Sequence, residues 1–149
     1  MQDGFNSAVK VIAGEASADA ARETWEKAVT APAWQRAPTW LHGDLHPANV
    51  VVQEGALSEV IDFAEMCAGD PATDLSAAWI LLPAGTASRF YATYEDADEA
   101  AIARARGWAV LRALHLISIG RNGRLGLPGG KPTREPAGRA ALERALAVN

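Results

Sequence analysis

Trp40-Leu41-His42-Gly43-Asp44-Leu45-His46-Pro47-Ala48-Asn49, followed at once by Val50-Val51-Val52-Gln53, decides how this chain is read. The polar part places an Asp two residues after a His, and an Asn five residues after that Asp. A second apolar run, Ser58 to Phe63, lies beyond Glu54-Gly55-Ala56. Two such runs joined by a short Gly-bearing segment predict a β-hairpin. In an antiparallel pair the start of the first strand lies beside the end of the second. Asn49 and Asp62, thirteen residues apart, are therefore expected side by side. The bland alternative is that Asp44 and Asn49 are turn residues, bonded to their own backbone.

An H-x-D-x-x-x-x-N loop followed by the Ile61-Asp62-Phe63 step is the spacing of a kinase-type phosphoryl-transfer site. Such chemistry depends on placed charges more than on covalent partners. Asp44 could accept the proton of an attacking hydroxyl or simply orient it. Asn49 offers an amide oxygen and Asp62 a carboxylate, a pair suited to Mg2+, which keeps much of its shell for phosphate and water. A cation there would neutralise charge on the transferring group. His42 is expected to hold the loop through its ring nitrogens.

Gly69-Asp70-Pro71-Ala72-Thr73-Asp74-Leu75 then reads as a turn and a helix start, with Thr73 or Asp74 as N-cap. Together, HGDLHPANVVV, VIDFAEMCAGDP and DLSAAW resemble the aminoglycoside phosphotransferase family, from about Trp25 to the C-terminus and most strongly between Trp40 and Trp79. That resemblance implies Asp44 as catalytic base, Asn49 and Asp62 as Mg2+ and nucleotide ligands, and Asp74 as a buried support for the catalytic loop. It implies ATP or GTP as donor and a small-molecule hydroxyl, such as that of an aminoglycoside or macrolide antibiotic, as acceptor.

The chain also departs from the family pattern. Ala64-Glu65 follows Asp62-Phe63 where relatives often have Gly, so backbone strain is expected if that position needs a glycine angle. Glu65 reads more simply as a solvated turn carboxylate than as an acid near the metal. Upstream of Trp40, Gly4 and Gly14 make no glycine-rich loop, and Lys10 in Val9-Lys10-Val11-Ile12 reads as a surface lysine. The expectation is one domain over 1–149, mainly α with one short β-hairpin. It corresponds to the C-terminal lobe of a protein-kinase-like (α+β) fold, with catalytic loop 40–49, metal-binding step 61–63, and no N-terminal nucleotide lobe. Weak activity of this chain alone follows from that expectation, and a catalytically silent lobe serving as a binding module is the alternative from a different functional class.

Composition bounds the remaining possibilities. The net charge of −4 and the lack of a basic run argue against nucleic acid as partner. No apolar run reaches membrane-spanning length and no signal pattern opens the chain, so a cytoplasmic home without membrane attachment is expected. The single cysteine, Cys67, excludes an intramolecular disulfide and reads as a small buried residue. Only three His are present, none in a helical metal-binding pair, which removes a metal-dependent phosphohydrolase.

Elsewhere the pattern is helical. Ser17 or Asp19 could cap a helix to Val29, with Ala21, Trp25, Ala28 and Val29 inward and Trp34 as an anchor beyond it. Thr86 to Tyr94 reads as a short helix. Glu95-Asp96-Ala97-Asp98-Glu99 opens a long one, its acids suited to the helix dipole and less simply to gripping amines. Ile102, Ala105, Trp108, Leu111, Leu114, His115 and Ile117 form its stripe, with His115 expected in the core. Gly120 to Pro136 reads as a mobile loop, and Ala137 to Val148 as a last helix with Leu142 and Leu146 inward.

Overall fold

Alanine every fourth residue sets the architecture. Ala101, Ala105, Ala109 and Ala113 are all fully buried along one face of the longest helix, where small side chains let neighbouring helices approach closely. The computed structural model describes residues 2–95 and 97–147. In chain order it contains α1 (Gln2–Ala8), a 3₁₀ turn (Val9–Ile12), α2 (Ser17–Thr30), β1 (Thr39–Leu41), β2 (Val50–Gln53) and β3 (Ala56–Val60). A 3₁₀ turn (Phe63–Glu65), β4 (Cys67–Gly69), α3 (Ala72–Leu75), α4 (Ala77–Ile80), α5 (Ala87–Ala92), α6 (Glu99–Arg124) and α7 (Arg134–Leu146) complete it. The protein is thus mainly helical with small antiparallel sheets.

The core gathers around α6. Phe5 stacks flat on Trp25 at 4.5 Å between ring centroids, fixing α1 against α2. Trp79 and Tyr91 meet at 5.3 Å, and the Tyr91 hydroxyl donates to Leu75 O at 2.8 Å. That burial pushes the Tyr91 phenol well above its ordinary pKa. Arg144 of α7 donates to Trp79 O (2.7 Å) and Ile80 O (2.9 Å), satisfying carbonyls at the end of α4 that have no helical partner. Arg104 bridges Asp70 at 2.6 Å and also reaches Pro32 O, tying α6 to both flanks of the β region.

The hairpin forms as expected, with its second strand at Ala56–Val60 and not at Ser58 to Phe63. Glu54 and Gly55 take the turn, both with positive φ (51° and 80°), the geometry of a two-residue turn that follows strand twist. Val50 pairs with Val60 and Gln53 with Ala56, with a register shift after Val51. A second ladder was not foreseen. β1 pairs antiparallel with β4, Thr39 facing Gly69 and Leu41 facing Cys67, so the described residues form two two-stranded sheets and not one hairpin alone. Strands of three residues carry too little alternation to announce themselves in sequence.

Other differences have local causes. Cys67 is exposed because β4 is a surface strand. Val29 is exposed and Trp34 only half-buried, its Nε1 donating to Ala37 O at 3.1 Å. α2 begins at Ser17 without a side-chain cap, so neither Ser17 nor Asp19 plays that part. Thr73 and Asp74 lie inside α3, which Pro71 precedes. Asp98 caps α6, its Oδ1 accepting from Ala101 N at 2.7 Å, while Asp96 lies outside the described residues, as does Val148. Lys10 is an exposed residue of a 3₁₀ turn.

The segment Gly120 to Pro136 is the largest correction. α6 runs on through Arg124, Pro136 sits in the first turn of α7, where no helical hydrogen bond is lost, and only 125–133 connects them. Three of its glycines, Gly120, Gly123 and Gly130, serve close packing. A Cβ on Gly120 would collide with the Glu135 backbone, and one on Gly123 with Lys131 and Pro132. Lys131 N donates to Ile119 O at 3.1 Å, pinning the connection to α6. Gly120→Ala should lower stability by about 1–3 kcal/mol through overpacking. Gly4→Ala, where a Cβ meets nothing within 4 Å, should be neutral or stabilising. Urea midpoints at unchanged m-value test both.

Candidate active site

The loop between β1 and β2 is held from below by one carboxylate. Asp74, half-buried on α3, accepts from the backbone N–H of His42 at 2.6 Å and of Gly43 at 3.0 Å. Leaving those donors unpaired would cost far more than the bonds contribute net, so the loop is locked to the helix. His42, 7% exposed, uses both ring nitrogens: Asp44 N donates to its Nδ1 at 3.2 Å, and its Nε2 donates to Ile61 O at 2.8 Å. The Nε2–H tautomer is the one that satisfies both bonds. His42 thereby joins the loop to the residue before Asp62, and Phe63 packs on its ring at 4.7 Å.

Gly43 explains a close approach that no other residue could make. Its φ is 85°, and a Cβ there would collide with Glu65 O. The strain expected at Ala64 falls elsewhere. Ala64 lies in the 3₁₀ turn, and Asp62 is the residue in left-handed conformation, with φ 63° and ψ 71°. A non-glycine residue held there is a local cost of the kind found at functional sites. Glu65 is exposed.

Asn49 and Asp62 are neighbours through the backbone, since Ile61 N donates to Asn49 O at 2.9 Å. Asn49 is 6% exposed, and its Nδ2 donates to Asp44 O (2.9 Å) and Asp44 Oδ2 (3.3 Å). With the amide nitrogen so engaged, its Oδ1 accepts no hydrogen bond among the described residues. Asp62 is exposed and its carboxylate likewise has no partner there. Two hard oxygen donors left free at one strand end fit a cation that needs few protein ligands. Among the described residues no group of three His, Cys, Asp or Glu could hold a metal.

Asp44 is ringed by donors. Arg112 Nη1 lies 3.3 Å from Oδ1 and Nη2 bonds Gly43 O, while His46 Nε2 lies 3.3 Å from Oδ2. Even so, 43% of the Asp44 side chain remains exposed, leaving it open to an approaching group.

A family model described as the phosphotransferase enzyme family matches residues 7–124. The chain belongs to the phosphotransferase enzyme family. This bears out the resemblance read from the motifs around the loop. No curated protein and no solved structure matches the chain.

Two groups at Asp44 were not assigned from sequence. Arg112 sits in α6 between Leu111 and Ala113, both buried, an interruption of the apolar stripe that could have signalled a partner inside the fold. Burial holds its pKa below the ordinary value, opposed by the charge of Asp44. His46 accepts at Nδ1 from Ala48 N (3.1 Å) and meets Arg134 Nη1 at 3.0 Å. Burial lowers its pKa, against the pull of Asp44 and with the help of Arg134 and Arg112. His115 is an exposed residue and not a core one; burial of part of its surroundings and the Arg112 charge lower its pKa too.

Asp74→Ala should destabilise the protein by about 1–3 kcal/mol, because two loop N–H groups lose their acceptor. Thermal and urea unfolding measure it. The pH dependence of His46 has a fixed sign. Above its ordinary pKa of 6.5 the ring is neutral in the folded and unfolded chains alike, so the full stability is present. Below pH 6.5 the unfolded chain binds a proton that the fold resists, and stability falls as pH drops toward the folded-state pKa. His46→Gln should flatten that limb of the urea-midpoint profile, and an unchanged slope would contradict the assignment.

Proposed function

We propose that the protein transfers the γ-phosphoryl group of ATP or GTP to a hydroxyl of a small molecule. The observation that carries this reading is the free pair of hard donors, Asn49 Oδ1 and the Asp62 carboxylate, one loop away from the exposed carboxylate of Asp44. Asn49 and Asp62 would hold Mg2+ with the nucleotide phosphates. When bound, the ion neutralises charge on the phosphates. Asp44 takes the proton of the acceptor hydroxyl or orients that hydroxyl as its oxygen bonds to the γ-phosphorus and the nucleoside diphosphate leaves. Arg112, Asn49 and His46 fix the rotamer of Asp44, so its free edge faces one approach direction. Asp74 and His42 are positioning residues, acting through the loop backbone.

The surface beside this site is apolar and open. Trp40 (74% exposed), Leu57, Ile61, Phe63 and Met66 lie on or next to the strands that carry the loop. Such a surface suits a nucleotide base and a covering lobe bearing the phosphate-gripping lysine. Among the described residues no helix is long and apolar enough to cross a membrane. A cytoplasmic setting, where nucleoside triphosphates abound, fits the reaction. Antibiotic alcohols of the aminoglycoside and macrolide kinds are the acceptors the family resemblance carries, with resistance as the consequence.

Mg-ATP or Mg-GTP should stabilise the chain by about 2.7 kcal/mol at a hundredfold excess over Kd. Asn49→Ala and Asp62→Ala should each abolish that gain, while Asp44→Asn keeps it and cuts turnover on an alcohol acceptor by about 10²–10⁴. Thermal unfolding with and without nucleotide reads the first part and steady-state kinetics the second. Absence of stabilisation by either nucleotide would overturn the reading in favour of a catalytically silent binding module.

A further inference from the structure

On the far side of Asp44 from the hairpin lies a cavity of about 320 Å³. Asp44 and His46 form its floor, Arg112 and His115 of α6 one wall, and Lys131 and Arg134 the other. Neither Asn49 nor Asp62 lines it, so the metal-holding donors and the cavity meet Asp44 from different directions. A hydroxyl in the cavity would lie beside Asp44, whose side chain is 43% exposed.

The charge of this lining is one-sided. Three cationic side chains face a single carboxylate, Asp44, and that carboxylate is already shared with Arg112. Lys131 has no ion-pair or hydrogen-bond partner for its ammonium among the described residues. Arg134 meets only the neutral-tautomer acceptor of His46. The nearest acid on α7, Glu135, is taken by Arg121, Arg124 and Arg139 on another face. The backbone that carries both cations is held, because Lys131 N donates to Ile119 O and Arg134 N to Lys131 O. Burial is the main reason that the pKa values of His46 and His115 lie below the ordinary histidine value, and the Arg112 charge, joined at His46 by Arg134, adds to it.

We propose that this cavity is the acceptor site and that the acceptor is a small alcohol bearing a carboxylate or phosphate group, gripped by Lys131 and Arg134. The proposal rests on the phosphoryl-transfer reading above and sets an anionic alcohol in place of the antibiotic acceptors that the family resemblance carries. A polycationic aminoglycoside would set its ammonium groups against unneutralised like charge. Size points the same way, since ligand pockets span roughly 300–1,000 Å³ and this one is at the lower end. An acceptor of sugar or hydroxy-acid dimensions fills it.

Isothermal titration of the whole chain tests this with ribose 5-phosphate, gluconate, ribose and kanamycin as probes. Ribose 5-phosphate or gluconate should bind at least about tenfold more tightly than ribose and kanamycin. The better of the two tells phosphate from carboxylate. Lys131→Glu and Arg134→Glu should each weaken that binding by about tenfold and leave Mg-ATP affinity unchanged. Tighter binding of kanamycin, or indifference to both reversals, would overturn the proposal. Competition between ribose 5-phosphate and Mg-ATP, with both weakened by Lys131→Glu, would assign the cavity to the triphosphate; the acceptor site would then be lost but phosphoryl transfer would stand. Anion binding without any nucleotide binding would remove phosphoryl transfer, and the acceptor assignment with it.

Discussion

The Asp74 carboxylate, receiving the backbone N–H groups of His42 and Gly43, is the constraint on which the site depends. It converts a loop between two short strands into a rigid fixture of the helical body. α3, which carries Asp74, packs against α6, and α6 also carries Arg112 to the other side of Asp44. One helix therefore sets both the height of the loop and the rotamer of its carboxylate. Short secondary elements alone could not do this, because two-stranded ladders of three and four residue pairs have little stability of their own.

From that anchor the geometry propagates through groups with no freedom left. His42 spends both ring nitrogens on the loop and on Ile61 O, so the loop and the end of the hairpin move together. Gly43 allows the turn after Phe63 to touch the loop backbone, which any side chain there would prevent. The cost appears at Asp62, held left-handed beside a fully paired neighbour. Among the described residues the Asp62 carboxylate has no partner, so nothing from its side chain offsets that strain.

The opposite face shows the same economy in different chemistry. Gly120 to Pro136 reads as a mobile loop because its glycines and prolines carry no hydrophobic period. In the fold Gly120 and Gly123 at the end of α6 mark where backbones press together, against Glu135 and against Lys131 and Pro132, and Gly130 lies against Gly123, whereas a Cβ on Gly126 or Gly129 would meet nothing within 4 Å. This contact carries Lys131 and Arg134 to the rim of the cavity above Asp44. Composition read the segment as loose because close packing through missing side chains leaves no apolar signature.

The sequence by itself determined the local chemistry: the spacing of His42, Asp44 and Asn49, the hairpin that returns the chain to Asp62, and the helical periods of α2, α6 and α7. These are legible because turn residues and hydrophobic periodicity act over a few neighbours. Long-range contacts were not legible. The pairing of β1 with β4, the placement of Arg112 on Asp44 from sixty-eight residues away, and the exposure of His115 and Cys67 all follow from how elements pack. Only tertiary structure decides which face of a helix meets which loop, since that choice is settled by the summed burial of many small side chains and by no single motif.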